Sequence, residues 1–324
     1  MYKIWGIILA FWLIFSSSSD SQEPPKVNIE PRAKKSDSKE SGRSPNIKVD
    51  TTLVAVEATV VDPFNRVVQG LEISNFKLFE DGVEQKIENL SIEEVPIAVC
   101  LVFDTSGSMG EKLRKSRDAA SEFFKTANPE DEFCLIQFGD DAEVSVGFTK
   151  DVGEIKDKLL FTRSKGKTAL LDAVFLAINT MKKTKIPRKA IIIISDGGDN
   201  NSRYLESEIK SIVKESDVQI YAVGIYESVG SRDLTPEETH GPELLTQIAD
   251  QTGGRHFPAQ NVNELADIAV KIGMELHSEY VLYFNPTNKN KDGKYRKLRV
   301  KLVVPPFLPD LRVYSRMGYY APTQ

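Results

Sequence analysis

Four near-continuous apolar runs stand in the middle of the chain: IAVCLVFD (97–104), EFCLIQFG (132–139), KAIIIISD (189–196) and VQIYAVGIY (218–226). Runs without alternation mark strands buried on both faces. The segments between them carry helical spacing instead. Leu113, Ala120, Phe123 and Ala127 share one helix face, as do Leu170, Ala173, Ala177 and Met181. A further stripe, Leu265, Ile268, Ile272 and Leu276, follows Asn261, which stands with Glu264 in capping-box spacing. Strands alternating with helices predict a doubly wound α/β domain around a mostly parallel sheet.

On both flanks the pattern changes to alternation. VDTTLVAVEATVVD (49–62) and NFKLFEDGVEQKIENLSIEE (75–94), with an Asp81-Gly82 turn, read as antiparallel strands. After His277 the same grammar returns in EYVLYFNPT, a turn through NKNKDGK, YRKLRVKLVV and LRVYSRMGYYAP. Such strands cannot extend a parallel sheet without crossover helices. The economical arrangement is a small antiparallel β-sandwich built from residues 47–95 and 279–324, with the α/β domain, 96–278, inserted between its halves.

Ahead of these lies an apolar run, Ile4 to Phe15, preceded by a lysine and followed by serines. At roughly 12 residues it is short of the ~20 that a spanning helix needs. Residues 1–19 are therefore expected to be a signal peptide, and only an uncleaved segment would bring a membrane into play. Residues 20–46 are rich in Ser, Pro, Lys and Glu and read as a disordered linker. The expectation is an exported protein, periplasmic, cell-surface or secreted, of a bacterial envelope.

Composition adds mainly exclusions. Of 324 residues, 40% are hydrophobic and 27% charged, and the net charge of −5 offers no basic field for nucleic acid. The local basic stretch KNKDGKYRKLRVK (289–301) is expected to be the solvated face of a hairpin. Cys100 and Cys134 each lie inside an apolar run; an exported protein could oxidise them, but mid-strand cysteines are expected to be buried small hydrophobes.

Candidate chemistry concentrates where the first run becomes a loop, VFDTSGSMGEK. Asp104, Ser106 and Ser108 alternate, so an extended loop points them the same way. One carboxylate with two hydroxyls suits a hard cation, chiefly Mg²⁺. Asp196 ends the KAIIIISD run before Gly197 and Gly198, and Thr168 opens a helix. If the first and fourth strands are neighbours at the reversal of strand order, these three loops meet over one crevice.

D-x-S-x-S, a distant Thr opening TALLDA and a later S-D-G resemble the metal-ion-dependent adhesion site of the von Willebrand factor type A domain, over roughly Pro96 to Ser278. The flanks, with YVLYFNPTNKNKDGKYRKLRVKL, resemble the bacterial VWFA-related domain family of exported proteins. The resemblance implies a metal site of Asp104, Ser106 and Ser108, with Thr168 and Asp196, holding Mg²⁺ (or Mn²⁺ or Ca²⁺). It also implies a non-enzymatic function, in which the metal coordinates an Asp or Glu carboxylate of a protein ligand. Lys167 departs from the family pattern, which often has a second glycine there, and would set an ammonium beside the site.

Other readings of the same residues fail. KGKTALLDA (165–173) imitates half of a nucleotide-binding phosphate loop, but Phe161 occupies the position of its first glycine. FDTSGS lacks the paired Asp-Thr/Ser-Gly loops of an aspartic protease. His240, His256 and His277 are scattered and expected at surfaces or helix ends. No catalysis and no nucleotide are therefore expected. The rival reading is a structural or assembly protein of the envelope that binds through its sandwich, the metal site being incidental. Glu227 to Gly241 reads as a long polar loop of the kind that carries specificity.

Overall fold

The computed structural model describes residues 53–92, 95–226, 235–303 and 310–323. The expected signal peptide and linker lie outside them. Strands β1 (Val54–Val61), β2 (Phe76–Glu80), β3 (Val83–Gln85) and β4 (Ile87–Ser91) come first. The α/β part supplies β5 (Ile97–Asp104), β6 (Glu132–Phe138), β7 (Ala142–Thr149), β8 (Arg188–Ser195), β9 (Gln219–Ile225) and β10 (His256–Ala259). Its helices are α1 (Lys112–Phe123), α2 (Val152–Leu160), α3 (Leu170–Met181), α4 (Glu206–Glu215), α5 (Pro236–Thr252) and α6 (Leu265–Leu276). Strands β11 (Tyr280–Phe284), β12 (Tyr295–Leu302), β13 (Arg312–Ser315) and β14 (Gly318–Tyr320) close the chain.

The central sheet runs β10-β9-β8-β5-β6-β7, parallel except for the edge strand β7. Its two faces follow from side-chain alternation. Val99, Leu101 and Phe103 of β5 join Leu113 and Phe123 of α1 and Ile268 and Ile272 of α6. Cys100 and Val102 face the other way, among Leu170, Val174 and Ala177 of α3 and Leu245 and Ile248 of α5. Cys100 and Cys134 are buried as expected, but they are also register partners on β5 and β6 and form a disulfide. One sequence position says nothing of which strand lies beside it, so the pairing was not legible beforehand.

Both flanks build the sandwich, as two four-stranded sheets in the orders β13-β1-β11-β4 and β14-β12-β2-β3. Val56, Ala58 and Val60 of β1 pack with Leu78, Leu282, Phe284, Leu298 and Val300 between the sheets. Asp81 and Gly82 take positive φ, 47° and 87°, in the tight turn between β2 and β3. One expectation is corrected here. β11 and β12 do not form a hairpin: β1 and β4 occupy both edges of β11, so β12 pairs in the facing sheet with β2 and β14. The crossing is fastened by Gln85 and Thr287, whose side chains share a hydrogen bond of 3.0 Å.

The polar loop expected at Glu227 to Gly241 is also shorter than read. Residues 227–234 lie outside the described residues, and Thr235 caps α5, accepting from the Glu238 N–H, with Pro236 as the first helical residue. Among the described residues no helix is long and apolar enough to cross a membrane.

Candidate metal centre

β5 and β8 are parallel neighbours, and the chain proceeds from them to opposite sides of the sheet. Their carboxyl ends therefore flank a topological switch point, where a crevice opens. Asp104 is the last residue of β5 and Asp196 follows β8; both are buried, as are Ser106 and Thr168, while Ser108 is exposed.

The first loop is organised around Asp104. Its Oδ1 accepts the Ser106 N–H at 2.8 Å and its Oδ2 accepts the Ser195 hydroxyl at 2.5 Å. Ser106 Oγ and Ser108 Oγ lie 3.0 Å apart, so the alternation does place the two hydroxyls together. The Thr168 loop is tied to both others. Gly107 N–H donates to Gly166 O at 3.0 Å and Lys165 N–H to Thr105 O at 2.8 Å. Thr168 N–H donates to Asn200 Oδ1 at 3.0 Å, and its carbonyl accepts from Asn200 and Asn201. On the third loop, Gly197 touches the backbone of Gly241 in α5 so closely that a Cβ there would fall 2.9 Å from it.

Charge is poorly compensated in this crevice. The Asp104 carboxyl is pushed up to about 7, first by burial and then by the negative charge of Asp196, against hydrogen bonds from Ser106 and Ser195. The cation that faces the pair is Lys112, from the first turn of α1, with Nζ 3.2 Å from Asp196 Oδ2 and a largely buried side chain. Sequence reasoning missed Lys112 and pointed to Lys167. Lys167 is exposed, and its contribution is a backbone N–H donated to Asp140 Oδ1 at 2.8 Å. The order of residues along the loop shows both lysines, but only the turn into α1 decides which ammonium reaches the carboxylates.

The donor set fits a hard divalent ion: every side chain offers oxygen, and two carboxylates are held in a buried place with one ammonium on Asp196. Among the described residues no group of three or more His, Cys, Asp or Glu is placed to hold a metal, so a site in this crevice would rest on hydroxyls beside its two carboxylates. The histidines are elsewhere. His240 is exposed beside Glu206, and His277 ends α6 against Asp131. His256, expected at a surface or helix end, instead sits half-buried between Tyr226 and Thr246 at the start of β10, and burial lowers it to about 4.

Comparison with known proteins bears on the fold and the domain family. The von Willebrand factor type A domain family matches residues 99–198, from β5 to the glycines after Asp196. Inter-alpha-trypsin inhibitor heavy chain H4 of Bos taurus is 26% identical over 140 residues, 38% of this chain and 15% of that protein. An uncharacterized protein of Borreliella burgdorferi is 23% identical over 183 residues, 49% of this chain and 52% of the relative. The chain thus spans at most about half the length of these relatives. A von Willebrand factor type A structure from Catenulispora acidiphila shares the fold with a TM-score of 0.50 at 11% identity, over 83% of this chain and 74% of that one. Motif, strand order and family match converge on the α/β part, where residues 99–198 carry a von Willebrand factor type A domain.

Proposed function

We propose that this protein is a non-enzymatic, metal-dependent binding protein whose crevice holds Mg²⁺, or Mn²⁺ or Ca²⁺ in its place. Domains of this type are typically protein-interaction modules. Asp104, Ser106, Ser108, Thr168 and Asp196 would hold the ion, and the ion would supply an open position for an Asp or Glu carboxylate of a partner protein. The observation that carries the reading is the convergence of two buried carboxylates and the Ser106–Ser108 hydroxyl pair at the switch point. Ser195 and Asn200 then act as positioning groups, one orienting Asp104 and the other the Thr168 backbone. The Cys100–Cys134 disulfide supports an exported protein, because such bonds persist in oxidising compartments.

The test is capture of a partner from the native envelope with Mg²⁺ and with EDTA, beside calorimetric titration of Mg²⁺ into the wild type and Asp104→Ala. Metal binding lost in the variant, with capture lost in EDTA, is expected. Capture that survives both chelation and Asp104→Ala overturns the reading.

A further inference from the structure

The basic stretch of β12 is more than a solvated face. Tyr295, Lys297, Arg299 and Lys301 point outward at alternate positions, while Leu298 and Val300 point into the sandwich. Arg299 and Lys301 pair in register with Phe79 and Lys77 of β2, so the same outer face continues across the sheet. Lys214 of α4 and Gln251 of α5 wall off one side, enclosing a groove of ≈ 990 Å³. Four cations line it, Lys214, Lys297, Arg299 and Lys301, and none has an ion-pair partner among the described residues. Two of them rest on aromatic rings: Lys214 Nζ is 3.8 Å from the centroid of Tyr295, and Lys301 Nζ 5.1 Å from that of Phe79. Asp81 is the one carboxylate of the lining, and its Oδ1 already accepts the Lys297 N–H at 2.9 Å. In a chain of net charge −5, this is a local reversal of sign.

We propose that this groove is a second, metal-independent docking site for an extended acidic peptide segment of a protein partner. Charge complementarity selects an anion, and the geometry selects an extended chain. Alternate residues of a strand repeat every ~6.8 Å, so carboxylates at every second position of the guest match the spacing of Lys297, Arg299 and Lys301. Phe79 and Tyr295 offer apolar surface to the aliphatic stems between them. A concave groove of this size holds a chain, whereas a bilayer surface would rest on its rim. Lys214 and Gln251 stand near the carboxyl ends of α4 and α5, where the chain turns toward the amino ends of β9 and β10. The groove therefore opens at the opposite end of the sheet from Asp104, and the two sites can be occupied together.

The test is fluorescence anisotropy with a labelled peptide of alternating Glu and Thr, titrated with the full chain in EDTA. Binding that weakens with added salt is expected, with a roughly tenfold loss in K297E/R299E and a smaller loss in K297Q/R299Q. Asp104→Ala should leave it unchanged, which separates this site from the metal crevice. No binding in EDTA, equal affinity in both β12 variants, or binding of heparin or anionic vesicles without binding of the peptide, would each overturn the proposal.

Discussion

The two ends of the central sheet both bury carboxylates, but they treat them in opposite ways. At the amino ends of the strands each acid meets a counter-charge from its own chain. Glu279 faces Arg188 and accepts from Gln219 at 2.7 Å and Thr59 at 3.2 Å. Glu275 faces Arg255, whose guanidinium also reaches Asn65 at 2.9 Å and stacks 4.3 Å over Tyr314. Burial raises both glutamates, and the arginines pull them back. At the carboxyl ends, by contrast, one ammonium, Lys112, pairs with Asp196, and the charge that acts on Asp104 is another carboxylate. The acids at the amino ends fasten β1 and the chain after it to the α/β part; those at the carboxyl ends are the ones proposed above to hold an ion.

The contrast breaks most sharply at Arg188. Arg188→Met leaves Glu279 buried without its cation and should cost about 3–5 kcal/mol in urea melts, a loss that Mg²⁺ does not restore. Asp104→Asn should behave oppositely. In EDTA it removes a like-charge contact, so the melting temperature should hold or rise. The stabilisation of about 2.7 kcal/mol that a ligand gives at a hundredfold excess over its Kd should vanish. Lys112→Met, which strips the crevice of its internal ammonium, should cost about 1–3 kcal/mol in EDTA. Here saturating Mg²⁺ should recover the loss, since the ion replaces the missing charge. A Lys112 variant whose loss Mg²⁺ leaves untouched would mean that the two ends are alike.

The smallest effect expected is at the His277–Asp131 pair, 3.0 Å apart. Burial opposes the charge of His277, but Asp131 and the Gly273 carbonyl more than offset it, so its pKa is raised above 6.5. That contribution is complete below the unfolded value and fades as pH rises through the folded one. Asp131 is lowered: burial opposes its charge, but hydrogen bonds from His277, Ile97 and Asn128 prevail. Its part is complete above the ordinary value of 3.8 and fades as pH falls through the depressed one. His277→Gln should therefore remove up to about 1 kcal/mol near pH 5–6 and little above pH 8, read from urea midpoints across pH.

Much of this molecule was legible before any coordinates. The unbroken apolar runs gave β5, β6, β8 and β9, because strands buried on both faces admit no polar alternation. Asp104, Ser106 and Ser108 announced a shared loop by their spacing, and the neighbourhood of β5 and β8 followed from the winding rule. What stayed hidden was the choice of partner in the sandwich and around Asp196. Residues 289–301 read as one side of a hairpin, yet β12 had to find β2 because β11 had no free edge. Lys167 stood next to Thr168 in sequence, while Lys112, far along the chain from Asp196, supplied the ammonium.

Local pattern by itself determined the buried strands β5, β6, β8 and β9, the apolar stripes of α1, α3 and α6 and the loop that carries oxygen donors, since those depend on residues a few positions apart. Only the tertiary structure decided that Cys100 lies beside Cys134, that Glu279 receives Arg188, and that four cations border one groove. Those facts depend on elements brought together across the sheet and between the layers, where burial strengthens electrostatics and leaves a charge no water to fall back on.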